Sequence, residues 1–141
     1  MFVQRCARCF TLIFLWALAV PSFAADPDSG KTVRAMVGAD GKQRVEILGG
    51  SYFFKPDHII VKANVPVELV VKREWGIVPH TFVLKIPQSG IMIDESLSTD
   101  AKTVEFMPTA AGTYTFYCKN KLLFFKSHEE KGMKGVLEVV P

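Results

Sequence analysis

The chain has 141 residues, 17 basic and 14 acidic, with a formal net charge of +3, and 49% of it is apolar, including 11 phenylalanines. That length suits one domain with a real core. The balanced charge excludes a nucleic-acid-binding protein, and the composition shows no repeat, low-complexity tract or long disordered region.

The first 25 residues stand apart. Arg5 and Arg8 precede a continuous apolar run, Phe10 to Val20, which Pro21 breaks before the small residues Ser22, Ala24 and Ala25. This has the form of a cleaved signal peptide over residues 1–25. The run is shorter than the roughly 20 residues a spanning helix needs, which disfavours the rival reading as a membrane anchor. An exported, periplasmic mature protein is expected. Cys6 and Cys9 precede the apolar run and play no part in the expected fold. Removing Arg5 and Arg8 from the 17 basic residues leaves 15 against 14 acidic, and leaves Cys118 as the one mature cysteine. An unpaired cysteine in an exported protein asks for a reason: an intermolecular disulfide, a buried bystander or a metal ligand.

Residues 26–42 are polar and read as a flexible lead-in with one short strand near Thr32–Met36; the domain proper is expected over 43–141. Asp40-Gly41 signals a turn. Gln43–Leu48 alternates as a half-buried strand, Gly49-Gly50 interrupts it, and Ser51–Lys55 resumes. His58–Lys62 and Pro66–Arg73 are strands, the second with Val67, Leu69 and Val71 on one face. Glu74-Trp75-Gly76 is a turn. Val78–Ile86 is predicted as a strand whose inward face carries Val78, His80, Phe82, Leu84 and Ile86. Ile91–Asp100 shows no clear period and reads as a long connection or short helical turn. Lys102–Phe106 is a strand, Thr113–Cys118 places Tyr114, Phe116 and Cys118 on one face, and Gly135–Val140 closes the chain pattern. Seven or eight short strands with Gly, Pro, Asn and Asp turns and no convincing amphipathic helix predict an all-β antiparallel sandwich, with loops clustered at its two ends.

Chemistry concentrates between Gly112 and Gly135, where Cys118, His128 and Met133 follow one another as Cys-x9-His-x4-Met. Each has a plain structural explanation. A lone cysteine is often a small buried hydrophobe, His128 has charged neighbours that suit an exposed loop, and His80 on an apolar face suits a core histidine bonded to backbone. Together they form a soft donor set. Two imidazoles and a thiolate with a distant thioether suit copper, the thioether and thiolate favouring Cu(I) and the imidazoles Cu(II). Zinc is the rival, but its structural sites pair cysteines, and only one is available. No catalytic acid or base with an open substrate position is evident, so the chain is not expected to be an enzyme. His58 is expected at an exposed or edge position, apart from the site.

The segment Ile59–Val140 resembles the cupredoxins, the plastocyanin and azurin class of small copper proteins. Phe106–Cys118 (FMPTAAGTYTFYC) is similar to the strand leading to the copper thiolate. Val78–Phe82 (VPHTF) is similar to the segment that gives the first histidine, and His128–Gly135 (HEEKGMKG) to the end of the ligand loop. The resemblance implies a Greek-key sandwich and a mononuclear copper site at His80, Cys118, His128 and Met133. It also implies one-electron transfer, with copper handling as the alternative. One departure stands out. Familiar members have about two to four residues between the cysteine and the histidine, and here there are nine, Lys119–Ser127.

That insert carries Leu122, Leu123, Phe124 and Phe125 among Lys119, Lys121 and Lys126. Either it packs over the site and keeps water away, or it is a docking patch with an apolar centre and a basic rim. The second reading implies an acidic redox partner or a peripheral membrane contact. A monomer is expected.

Overall fold

In a computed structural model, residues 32–141 are described; the predicted signal peptide and residues 26–31 of the lead-in lie outside the described residues. Alternation of apolar and polar side chains drives the architecture. In Val67–Arg73 the residues Val67, Leu69 and Val71 are buried and Lys72 is exposed, and the same period recurs in most strands. A strand with one apolar face must bury it against another sheet, and the chain forms two.

Ten strands are present among the described residues: β1 (Thr32–Arg34), β2 (Gln43–Gly50), β3 (Phe53–Lys55), β4 (His58–Lys62), β5 (Val67–Arg73), β6 (Thr81–Ile86), β7 (Ile91–Ser96), β8 (Lys102–Phe106), β9 (Gly112–Tyr117) and β10 (Lys134–Val140). One sheet has the order β1-β4-β10-β9-β6-β7 and the other β3-β2-β5-β8. The sandwich is the one expected, with more strands than the seven or eight predicted. The pairing is mixed rather than wholly antiparallel. β1 with β4, β4 with β10, and β2 with β5 run parallel. Alternation in a sequence reports which face a residue takes; it does not report strand direction, which the crossings between sheets decide.

Two local readings are corrected. Gly49 and Gly50 continue β2, facing Phe54 and Phe53 of β3. A Cβ at Gly49 would lie 2.8 Å from Leu97 Cδ1 and 3.3 Å from Met133 Cε, so the glycine makes room for two core side chains. Ile91–Ser96 is a strand that pairs with β6 along its whole length. A 3-10 turn at Pro87–Ser89 and Gly90, at φ 65°, reverse the chain into it. β7 lies at the sheet edge; its burial alternates, but the exposed Met92 and the half-buried Glu95 put an apolar residue on the outer face and a polar one on the inner face, which hides the period in the sequence.

The core is anchored by Phe54, Phe82 and Phe116, whose ring centroids are 5.3 to 5.8 Å apart, within the range for favourable edge and offset contacts. Gln43 is polar yet fully buried, because its bonds are met there. Gln43 on β2 donates from Nε2 to Lys62 O at 3.0 Å and accepts from Lys62 N–H at 2.7 Å, stitching the smaller sheet to β4 of the larger. Because β9 lies between β6 and β10 and is antiparallel to both, the start of β6, the end of β9 and the start of β10 meet at one end of the sandwich.

Candidate metal centre

His80 immediately precedes β6. The predicted strand start at Val78 is early, and Val78 is exposed rather than inward. Pro79 has no N–H to give to a ladder. The turn before it is held by Arg73, whose Nη1 donates to Glu74 O at 3.1 Å and Gly76 O at 2.6 Å. His80 O accepts from Leu97 N–H at 2.9 Å, and the residue is 6% exposed. Trp75, by contrast, is 90% exposed.

Cys118 follows β9 and is fully buried. Its Sγ accepts the Thr81 N–H at 3.3 Å and lies 3.7 Å from Thr81 Oγ1 and 3.5 Å from Asn120 Oδ1. Thr81 Oγ1 donates to Asn120 Oδ1 at 2.8 Å and accepts from Lys119 N–H at 3.1 Å. The residue after His80 thus holds the residues after Cys118, and the two segments are locked together.

His128 is placed by a single helical turn. Ser127 and Glu130 cap it reciprocally, Ser127 N–H to Glu130 Oε2 at 2.6 Å and Glu130 N–H to Ser127 Oγ at 3.2 Å. This is a capping box. Lys131 N–H and Met133 N–H both reach His128 O, at 3.2 and 2.9 Å. Tyr52 stands edge-on to the imidazole with centroids 5.0 Å apart.

The three side chains converge. His128 Nδ1 is 3.1 Å from His80 Nδ1 and 3.4 Å from Cys118 Sγ, and one ligand atom from each of the three buried residues falls within 4.8 Å of the others. Burial first, then the nearby His128 and Arg73, pushes His80 down to about 4. Burial and then Lys131 lower His128 as well. Both rings are therefore neutral at pH 7, with lone pairs available to a cation. Two imidazole nitrogens and a thiol in van der Waals reach, with neutral rings, fit a soft or borderline metal ion. The donor set matches a trigonal site of two nitrogens and one sulfur.

Met133 is fully buried beside these residues. Its main chain bonds to both neighbours, accepting from Cys118 N–H at 3.0 Å and donating to His128 O at 2.9 Å. Gly132, at φ 105°, makes the bend that turns it inward, and its methyl end packs toward Gly49. The structure brings His80, Cys118 and His128 into contact and sets Met133 in the adjoining core. His58 lies apart, as expected, bonded to Glu138 at 3.2 Å.

The nine-residue insert is a clipped excursion. His128 N–H donates to Asn120 O at 2.8 Å, closing the base. Lys121–Ser127 leaves and returns at that clip. Leu122, Leu123, Phe124 and Phe125 do not fold down over the site: they are 54% to 87% exposed. Leu122 and Phe125, with Ile77 and Val78, border a groove of about 430 Å³ that reaches Tyr52 and His128. Thr81, Asn120 and the Ser127–Glu130 box were not singled out by the sequence reading. Only the box had a signal there, Ser-x-x-Glu spacing ahead of a buried residue.

The family model for the cupredoxin-like domain matches residues 9–138. A plastocyanin from Dryopteris crassirhizoma is 32% identical over 102 residues, covering 64% of this chain and 90% of that protein. Among solved structures, the metal-binding domain of a Cu(I)-exporting P-type ATPase from Streptococcus pneumoniae, with Cu(I), superposes with a TM-score of 0.58 at 21% identity, covering 81% of this chain and 100% of that one. Dithionite-reduced auracyanin from Roseiflexus castenholzii gives a TM-score of 0.56 at 20% identity, covering 74% and 100%. At those identities the two structures speak to the fold.

Proposed function

Since the chain belongs to the cupredoxin-like family, we propose that it is an exported, periplasmic one-electron carrier whose copper ion is held by His80, Cys118, His128 and, as fourth donor, Met133. The observation that carries this reading is the convergence of two imidazole nitrogens and one cysteine sulfur within 4.8 Å in a buried position. A copper ion held by these residues would supply one-electron exchange between Cu(II) and Cu(I), with a reduced protein partner as donor and an oxidised one as acceptor.

The chain's own residues do the rest. Thr81 N–H fixes the direction of Cys118 Sγ. The capped turn fixes His128, and the Gly132 bend fixes Met133. Ligands held this firmly move little between two oxidation states, which favours electron relay over a copper-handling role that needs an open, mobile site. Burial keeps water from the sulfur. His128 lines the groove, which makes it the short way out for an electron. A partner with an acidic rim docks there, on Leu122 and Phe125, with Leu123 and Phe124 at the crest and Lys121 and Lys126 alongside.

Copper titration with visible spectroscopy tests the reading. The oxidised protein is expected to show an intense thiolate-to-copper charge-transfer band that Cys118→Ser abolishes while the fold persists. A copper-loaded chain with no such band sinks the proposal. Fast self-exchange of electrons supports relay; slow exchange with ready copper loss to a chelator supports handling.

A further inference from the structure

We propose that the side-chain amide of Asn120 is a positioning donor to the Cys118 sulfur, setting how strongly the thiolate holds oxidised copper. The inference rests on the copper-site reading above and concerns a residue outside the ligand set.

The geometry is specific. Asn120 is two residues after Cys118, and its main-chain oxygen is clamped by His128 N–H at 2.8 Å. That bond fixes its main chain beside the sulfur. One end of the amide lies 3.5 Å from Cys118 Sγ and 2.8 Å from Thr81 Oγ1. The two ends of an amide have the same shape, and the hydrogen-bond network decides which one faces a neighbour. A thiol can donate its proton to Oδ1. A metal-bound thiolate has no proton, and an amide oxygen against it would set two acceptors face to face. The amide nitrogen belongs there instead. The network has a partner for each proton of the turned amide, one N–H toward Thr81 Oγ1 at 2.8 Å and the other toward Sγ at 3.5 Å. Thr81 Oγ1 still accepts from Lys119 N–H, and its own proton is released toward Sγ at 3.7 Å. The sulfur then receives the Thr81 main-chain N–H, an Asn120 N–H and the Thr81 hydroxyl.

Donors on a cysteine sulfur withdraw electron density from it. Sulfur as a soft atom suits Cu(I), but the negative charge the thiolate carries is worth more to the doubly charged ion, so each hydrogen bond that draws on that charge shifts the balance toward the reduced ion. Asn120 therefore raises the reduction potential, and it does so through Cys118 rather than by touching the metal.

Two measurements test this. The first is the reduction potential of Asn120→Ala, read with the charge-transfer band. We expect the oxidised form to gain threefold to tenfold, the upper end being about 59 mV lower in potential for one electron, with the band moved in energy. Asn120→Gln, which keeps a donor, is expected to recover part of the shift. The second uses the unaltered protein, so it stands even if the variant loses copper. Nuclear magnetic resonance of the Cu(I) form should show one Asn120 amide proton moved downfield and slow to exchange relative to the metal-free form. Unchanged potential in Asn120→Ala, or amide protons that resonate and exchange as free ones in the Cu(I) form, overturns the inference and leaves the copper reading standing. A chain with no thiolate–copper band fails both.

Discussion

Deleting Lys121–Lys126 is expected to leave the metal centre intact and make the fold more stable. The excursion is clipped at its base by Asn120 and His128, its large apolar side chains are mostly exposed, and the deletion spares Ser127 and therefore the capping box that orients His128. Lys119, Asn120 and Ser127 would remain between Cys118 and His128, a spacing of the length familiar among cupredoxins. Closing a loop of nine intervening residues costs more entropy than closing one of three, by about 1 kcal/mol from the logarithmic dependence on length. For a domain near 100 residues that raises the melting temperature by roughly 4–8 °C. Thermal unfolding of the metal-free chain and its deletion variant measures this, and copper titration of both reads the site. A variant that unfolds earlier, or folds but loses its charge-transfer band, would refute the reasoning, because the excursion would then be a brace for His128.

Two further outcomes follow from the packing and the buried rings. Gly49→Ala places a methyl against Leu97 and the Met133 methyl end; it should destabilise the fold by about 1–3 kcal/mol in urea unfolding and perturb the visible spectrum by displacing Met133, whereas an unchanged midpoint would mean the two side chains yield freely. The metal-free chain should lose stability on acidification. His80 is lowered from 6.5 to about 4, so the unfolded chain takes up a proton that the folded chain refuses. Its contribution is intact above pH 6.5 and is lost as pH falls toward 4, by on the order of 3 kcal/mol. Urea midpoints at a series of pH values check this, and a flat profile between 6.5 and 4.5 would exclude a buried neutral His80.

The strands that bury one face and turn the other outward were legible because one-sided burial imposes a strict period. Val67, Leu69 and Val71 or Phe116 and Cys118 announce an inward face without help from the rest of the chain. β7 was not legible, because an edge strand tolerates an apolar Met92 in water and a polar Glu95 on its half-buried face, so residue type no longer follows the alternating burial. Gln43 illustrates a different limit. It occupies an inward position in β2 although it is polar, and only the carbonyl and N–H of Lys62, brought in by β4, make that tolerable. The ligand candidates could be read from residue type, since cysteine, histidine and methionine have few shared purposes. Asn120 and Thr81 could not, because their role depends on which sulfur the fold brings within reach.

The placement of β10 between β4 and β9 has a consequence for the order of assembly. The ligand-bearing loop joins the last two strands, and the bonds that seat Cys118 and His128 both run through Met133, the residue from which β10 departs. Until that strand threads into its slot, the larger sheet is in two halves. His80 and Cys118 then share one half, through the pairing of β6 with β9, while the far end of the loop, with His128 and Met133, is not yet held by β10. A folding chain therefore presents metal with one thiol and one ring, and gains the second ring and the thioether together as the slot closes. Metal capture is thus a report that the sheet is complete.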